Sequence, residues 1–418
     1  MFGLRLGKLG AAIKAGTGSA GVVPLFSRDY TQGTLGANAT FARSSSATII
    51  DHEGVIRTVP SGEARFNGLR RVKNLVPASE DLQYVGYVTV VSGASSTSSN
   101  TITFTNTTGE FRVSGWSGVT GKTFRFSFNA RIISGDGNSI RVDYGNFRSE
   151  NFIVDSTTQR YSTQWSGPML TSHWVDFKLN NGTGLVLEVT EIQVEDITGQ
   201  TNQNPSEYVS VGVLSAPYHG ANVDGVKYFA TENGNSVDGS GVVTEGTGAA
   251  ITGGALLREP AATNQLLNSG TPATQTTGSL GTGDYVLWVE GAGSAAVTAG
   301  TATITGGGTA TDGTPDLFTV TGAGTVTVTV TGTLDRFQLE AGPTPTSYIP
   351  TSGSAVTRAA DALSYSGIAA DNETRAITDA GTVDVDDWDG VVDDAILGAD
   401  NLGEVTSITV YTTGERPA

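Results

Sequence analysis

The 418-residue chain lacks cysteine altogether and is short of basic residues. The absence of cysteine excludes disulfides, thiolate metal sites and cysteine nucleophiles. With 24 Lys and Arg against 41 Asp and Glu, the formal net charge is −17, so no basic stripe is available to neutralise phosphates and nucleic-acid binding is not expected. No stretch approaches the roughly 20 apolar residues of a membrane-spanning helix, so no membrane span is expected either.

Residues that usually carry catalysis or bind cofactors are sparse and scattered. The three histidines are isolated in the sequence: His52, His173 and His219. They form no Ser-His-Asp arrangement, and surface or turn positions suit them better. The acidic run at 384–390 fails the EF-hand pattern, because Val385 occupies the first ligand position when counted back from Gly390. We therefore predict no cofactor, metal or catalytic residue; a solvated edge is favoured for the run, and calcium binding of another kind stays open.

Glycine, threonine and valine dominate what remains, and they alternate with a period of two. Residues 325–331 read TVTVTVT, which places three valines on one face of a strand. Phe124, Phe126 and Phe128 alternate in the same way, and turn sequences such as 135–138 (GDGN) separate such segments. The pattern predicts an all-β protein built of antiparallel β-sandwiches, each with two stacked sheets.

An internal repeat divides the chain into segments. Gln193 and Gln338 stand in matching phrases, IQVE and FQLE, and similar apolar and turn positions precede both. The predicted organisation is 1–36 docking segment, 37–212 module one, 213–225 linker, 226–366 module two and 367–418 acidic C-terminal β unit. That unit would act as a cap or as an inter-subunit strand. The apolar residues of the first segment fit a short buried anchor, and deletion of residues 1–30 is expected to leave both modules folded.

The repeat phrases also resemble a known family. QLEAG at 338–342 with TSYIPT at 346–351 resembles the phrase that closes jelly-roll domains, similar to carbohydrate-binding modules, in phage tail and virion-appendage proteins. The opening phrase FARSSSAT at 41–48 resembles the lead-in of the same family. Module one departs from it, with Glu195-Asp196-Ile197 where the family has a glycine turn. The resemblance implies a jelly-roll-like arrangement of the two tandem β-sandwich modules. It also implies a virion location, on tail fibre, baseplate or head, with other phage virion proteins as partners.

Exposed aromatic rings are the residues to examine for sugar binding, because an apolar ring face packs on the C–H side of a sugar. The candidate carbohydrate-binding residues are Trp116, Trp165 and Tyr144. Trp116 lies in the loop-like SGWSG and Trp165 precedes Ser166-Gly167-Pro168. Trp174, beside Val175 and Phe177, and Trp288 are expected in the core.

The interpretation is a non-enzymatic structural protein of a bacteriophage virion with a glycan-binding attachment role. It is expected to form a homo-oligomer, most simply a trimer, because isolated sheets leave edges that need covering. Three alternatives remain open. A tailspike depolymerase would need a pair of catalytic carboxylates, a bacterial surface adhesin would need an export signal or wall anchor, and a purely structural joint would bind no ligand.

Overall fold

The computed structural model describes residues 24–84, 87–98, 100–116, 121–144, 148–166, 173–182, 184–213, 218–368, 372–398 and 402–417. β-Strands dominate these residues; the helical elements among them are a 3-10 turn at Tyr30–Gln32 and one α-helix, α1, at Asp394–Leu397. The prediction of an all-β chain with tandem antiparallel sandwiches and a β-rich C-terminal unit is confirmed. No helix in these ranges has the length and apolar character needed to span a membrane.

The strands fall into five consecutive groups along the chain. The first group comprises β1 (Phe26–Asp29), β2 (Ala39–Ala42), β3 (Ala47–Ile50), β4 (Ile56–Val59), β5 (Arg65–Asn67) and β6 (Arg70–Lys73). The second comprises β7 (Val88–Ser92), β8 (Ala94–Ser98), β9 (Thr101–Phe104), β10 (Glu110–Trp116), β11 (Thr123–Gly135), β12 (Ser139–Tyr144), β13 (Arg148–Ile153), β14 (Gln159–Ser166), β15 (His173–Leu179) and β16 (Leu185–Asp196).

The remaining groups follow in chain order. The third comprises β17 (Val226–Phe229), β18 (Thr231–Asn233), β19 (Ser236–Val237), β20 (Val243–Thr244), β21 (Thr247–Ala250), β22 (Ala255–Arg258) and β23 (Ala262–Asn264). The fourth comprises β24 (Gln275–Thr276), β25 (Gly283–Glu290), β26 (Gly293–Ala299), β27 (Thr303–Gly306), β28 (Thr309–Thr311), β29 (Asp316–Gly322), β30 (Val326–Gly332) and β31 (Arg336–Ala341). The fifth comprises β32 (Val356–Arg358), β33 (Ala362–Tyr365), β34 (Glu373–Thr378), β35 (Gly381–Val385) and β36 (Gly403–Tyr411).

The second group forms a two-sheet sandwich, called sandwich one. Its sheets have the strand orders β13-β12-β15-β10-β7 and β14-β11-β16-β9-β8. Alternation along β11 sends Phe124, Phe126 and Phe128 into one shared core with Phe111 and Phe177 of the facing sheet. The core of sandwich one, which includes these five aromatic rings, is larger than the core of sandwich two.

The fourth group forms a smaller sandwich, called sandwich two. Its sheets have the orders β24-β30-β26-β28 and β27-β29-β25-β31. The TVTVTVT segment lies in β30 as predicted: Val326 and Val328 are fully buried, and Val330 packs partly against the same core. The threonines between them face outward, because successive side chains of a strand point to opposite sides.

The other three groups combine into a central domain, from which the two sandwiches extend as insertions. Strand β36 pairs with β34 along one edge, and with β22 and β1 along the other. Segments far apart in sequence therefore share one six-stranded sheet and one hydrophobic core, which includes Tyr30, Phe66, Tyr228 and Trp388. The domain limits given from the sequence stay a prediction, although these pairings join strands across them.

Both ends of the described chain belong to this central sheet. The predicted C-terminal unit contributes β34 to β36; both edges of β36 are occupied within the described residues, whereas β35 pairs with β34 and lies at the end of the sheet. At the other end, β1 is paired and Tyr30 is fully buried. A deletion of residues 1–30 would thus remove part of the central core, contrary to the expectation from the sequence. The predicted apolar anchor lies within residues 1–23, outside the described residues.

A buried ion-pair network ties distant segments of the central domain together. Asp361 binds Arg43 (2.9 Å) and Arg65, while Glu259 binds Arg65 (2.7 Å) and Arg358 (3.3 Å). All five side chains are at most 2% exposed. Although burial opposes it, Glu259 and Asp361 together raise the pKa of Arg65. Each carboxylate thus pairs with two buried guanidinium groups, with Arg65 shared between them, and the loss of either carboxylate would leave buried positive charge with too few partners.

We expect Asp361→Asn to lower the free energy of unfolding by about 3–5 kcal/mol, because Arg43 would lose its buried carboxylate and Arg65 would keep only Glu259. Chemical denaturation of the full-length protein, followed by tryptophan fluorescence, measures the change. The matched control is Asp384→Asn, which breaks the more exposed pair with Arg375 and should change stability by roughly 0–1 kcal/mol. Equal losses in the two variants would contradict the role given to the buried network.

Candidate functional site

The three aromatic residues predicted to contact sugar are buried. Trp116 is 6% exposed, and Tyr144 and Trp165 are 4% exposed. The rings of Tyr144 and Trp165 stack with centroids 3.6 Å apart, and Trp165 also stacks on Phe124. The expectation that these residues are exposed is wrong, and they pack in the core of sandwich one.

Strand geometry explains the positions of Tyr144 and Trp116. Tyr144 follows Ile140 and Val142 on the inward side of β12, so alternation alone places it in the core. Trp116 would point outward by the same count, but the register shifts between Ser114 and Trp116. Gly115 adopts φ +108° at this bulge, and the extra residue turns Trp116 inward. A bulge of this kind is not visible in the pattern of apolar residues.

Trp174 occupies the opposite position from the one expected. Its neighbours Val175 and Phe177 are fully buried, so Trp174 and Asp176 must point to the other side of β15. Trp174 is half-buried and lies outside the core cluster. Trp288 is likewise half-buried, and its ring meets Tyr348 edge-on at 6.0 Å, outside the core of sandwich two.

Trp174 belongs to a polar surface that we call the outer face of sandwich one. It is the side of the β13-β12-β15-β10-β7 sheet that points away from the core, and the strand register places its members side by side. The members discussed here are Glu110, Arg112, Ser114, Arg141, Asp143, Ser149, Asn151, Trp174, Asp176 and Lys178. Three acidic and three basic side chains balance, so the outer face carries no net charge on a strongly acidic protein.

The charged side chains of the outer face form a continuous chain of ion pairs. Arg112 donates to both oxygens of Asp176 at 2.6 and 2.8 Å, and to Glu110 at 3.0 Å. Lys178 lies 3.0 Å from Glu110 and 2.9 Å from Asp143, and Asp143 also pairs with Arg141 at 2.8 Å. Each side chain is held by at least one neighbour, so the face is pre-arranged rather than free to adapt.

The two aspartates have opposite electrostatic environments. Burial raises the pKa of Asp176 despite its bidentate bond from Arg112. Burial acts in the same direction on Asp143, but hydrogen bonds from Lys178, Ser149 and Arg141 outweigh it and lower the pKa of that carboxyl. The two residues are register partners on adjacent strands. Asp143 and Asp176 are therefore the pair of carboxylates on the outer face with the opposite pKa directions expected of a catalytic pair.

The outer face presents the indole ring of Trp174 and a small cavity. The Arg112 guanidinium lies 4.6 Å from the centre of the Trp174 ring, a cation–π contact that holds the indole in place. At the other end of the face, a cavity of about 260 Å³ is lined by Glu110, Arg141 and Lys178 together with Thr108 and Asn180. A fixed aromatic ring beside hydrogen-bonding groups is the arrangement that binds the two sides of a sugar ring.

Sequence reasoning missed the charged members of this face, although a signal was present. In β10, β12 and β15 the charged residues alternate with buried apolar ones, as in EFRVS at 110–114 and WVDFKL at 174–179. Reading the polar positions of each strand as one surface would have placed Trp174 among them. The loop-like sequences around Trp116 and Trp165 indicated exposure instead, and the structure buries both residues.

The acidic run near the C-terminus pairs with arginines. Asp384 binds Arg375 at 2.8 Å, Asp386 binds Arg416 at 2.9 Å, and Trp388 in the middle of the run is buried in the central core. Across the described ranges, no group of three or more histidine or acidic side chains is arranged to hold a metal ion.

Comparisons with known proteins supply no family. No family model matches the chain, and no curated protein matches it. Among solved structures, a CBM4 structure is 15% identical, with a TM-score of 0.22, over 30% of this chain and 94% of its own. The CBM22-1-CBM22-2 tandem domain of Paenibacillus barcinonensis Xyn10C is 10% identical, with a TM-score of 0.25, over 65% of this chain and 98% of its own. These scores are too low to carry a functional argument, which must come from the residues.

The revised placement reverses the expected effects of tryptophan substitution on stability. Trp165→Ala should cost roughly 3–5 kcal/mol, because it removes a buried ring from the core of sandwich one. Trp174→Ala should cost only about 1–2 kcal/mol, the contribution of a partly exposed cation–π contact. Denaturation curves of the two variants measure both values, and a larger loss for Trp174→Ala would contradict the placement.

Proposed function

We propose that the protein is a non-enzymatic structural and attachment protein of a bacteriophage particle, and that it binds carbohydrate through the outer face of sandwich one. The observation that carries the binding role is the position of Trp174 on that face, beside side chains whose charges cancel. A sugar presents hydroxyls and an apolar C–H surface, and it needs hydrogen-bonding groups and a ring more than net charge. The virion role rests on the resemblance of the closing phrase.

The way in which the carboxylates of the outer face are held supports binding without cleavage. A glycosidase needs one carboxyl group to give a proton and another to act as base or nucleophile. The opposite pKa directions of Asp143 and Asp176 are the feature that favours such an activity. Both oxygens of Asp176, however, accept from Arg112, and Asp143 is bound by Lys178 and Arg141. Carboxylates engaged in this way serve to orient the cations rather than to transfer protons.

We expect Trp174→Ala to weaken glycan binding about tenfold to a hundredfold, the effect of losing one aromatic contact of about 1–3 kcal/mol. The measurement is binding of the full-length protein to an array of bacterial cell-surface glycans. Trp288→Ala is the matched control, since it removes another half-buried outward tryptophan from sandwich two and should leave binding unchanged.

The same array separates the rival functions. Binding that persists at high salt is expected, because the face has no net charge for salt to screen. Release of reducing ends by the parent protein, lost in Asp176→Asn, would establish the depolymerase alternative. No binding to any glycan, by the parent or either variant, would leave the purely structural role.

The virion role predicts that the protein is present in purified phage particles and that residues 1–23 attach it to them. Deletion of residues 1–23 should abolish incorporation while preserving β1 and the central core, which begin later in the chain. Immunolabelling of particles and mass spectrometry of their proteins measure incorporation. Normal incorporation of the truncated protein would refute the docking role, and absence of the parent protein from particles would favour the bacterial adhesin.

Light scattering of the parent protein tests the expected homotrimer.

A further inference from the structure

A second cavity lies where the central domain meets sandwich one. Its volume is about 380 Å³, which is within the range of small-molecule sites. The central domain contributes β4 and β6, and sandwich one contributes the start of β11 and the end of β16. The charged and polar side chains that line it include Arg57, Arg71, Lys73, Lys122, Asp196 and Gln200. This cavity is separate from the outer face, with which it shares no lining residue.

The cavity gathers positive charge on a protein that has little of it. Four of its lining residues are basic and two are acidic, Glu195 and Asp196, whereas acidic residues outnumber basic ones in the whole chain. Glu195 is buried, and burial raises the pKa of its carboxyl group despite hydrogen bonds from Ser206 and Gln193. Its negative charge is therefore held less firmly than that of an exposed glutamate.

Three of the four cations already have partners. Arg57 pairs with Asp51 at 2.8 Å, Arg71 with Glu63 at 2.6 Å, and Lys122 with Asp196 at 3.1 Å.

Lys73 is different, because among the described residues it has no ion-pair or hydrogen-bond partner, and partial desolvation together with Arg71 lowers the pKa of its ammonium group. The Nη2 atom of Arg57 is also buried without a hydrogen-bond partner in the described part of the chain. A buried donor such as Arg57 Nη2 is normally satisfied, whereas the side chain of Lys73 is exposed.

We infer that this cavity binds a small organic anion whose carboxylate or phosphate group is held by Lys73 and Arg57. An anionic group would supply a counter-charge for the exposed ammonium group of Lys73, and the Arg57 side chain lines the same cavity. Ile56, Val72 and Phe124 also line the cavity, so an apolar or C–H surface of the ligand has a place beside the charged group. Thr58 and Gln200 offer hydrogen bonds to hydroxyls. The fitting class is thus an acidic sugar-sized molecule, either a uronate or a sugar phosphate.

Calorimetry with the full-length protein tests this assignment with four probes: glucuronate, glucose 6-phosphate, inorganic phosphate and glucose. At least one of glucuronate and glucose 6-phosphate should bind, and the tighter binder shows whether the cavity prefers a carboxylate or a phosphate group. Glucose, which has no anionic group, should not bind. Lys73→Gln should weaken the binding about tenfold or more, as for the loss of a charged hydrogen bond. Lys227→Gln is the matched control, because Lys227 lies on the adjacent strand β17 and stacks on Phe229 outside the cavity.

Asp196→Asn provides a test that misfolding cannot mimic. The substitution removes the counter-charge of Lys122 and should strengthen anion binding several-fold, since a second ammonium group becomes available. Failure of glucuronate and glucose 6-phosphate to bind would overturn the inference. Binding that Lys73→Gln leaves unchanged, or that glucose and inorganic phosphate match, would overturn it as well. Because these outcomes do not involve Trp174, they leave the carbohydrate role of the outer face to its own test.

Discussion

The paired burial of Asp361 and Glu259 against three arginines is the constraint on which the architecture depends. Arg43 and Arg65 come from the first strand group, Glu259 from the third, and Asp361 from the last. Buried charges of this kind are tolerated only when every partner is present. The network therefore requires three distant parts of the chain to meet, and that meeting closes the central domain around the two inserted sandwiches.

Each sandwich is anchored to the central domain by the same set of polar contacts. The side chain of Asn74 donates to the carbonyls of Ile192 and Val209, and that of Asn264 donates to the carbonyls of Phe337 and Ile349.

Gln193 and Gln338 add a second shared set, since each accepts from a backbone N–H, that of Val209 or Ile349, and donates to a nearby glutamate. The Asn-Leu and Gln-x-Glu steps of the sequence repeat thus hold the last strand of each insertion to the segments that enter and leave it. Buried amides whose donor and acceptor atoms are both hydrogen-bonded fix one geometry, because any displacement would leave several polar groups without partners.

Period-two alternation predicted much of the fold, because it follows directly from strand geometry. The buried phenylalanines of β11 and valines of β30 lie where their spacing indicated. The central domain was not predictable in the same way. Strand β1 pairs with β36 across most of the chain length, and local patterns carry no information about such pairings. Alternation could have placed Trp174 and Tyr144 correctly, whereas the bulge at Gly115 that turns Trp116 inward depends on a backbone conformation that a residue pattern does not encode.

The distribution of scarce positive charge links the two proposed sites to the fold. A chain with 24 basic residues commits Arg43, Arg65 and Arg358 to the buried network, where they have no contact with solvent. On the outer face the cations are matched one for one by acids, which suits a ligand recognised by hydroxyls. In the cavity beside β6 they are not matched, since Lys73 has no described partner. The chain's acidic surface repels anions at long range, so a local excess of positive charge is where an anion is expected to bind, and the walls of this cavity come from the central domain and sandwich one together.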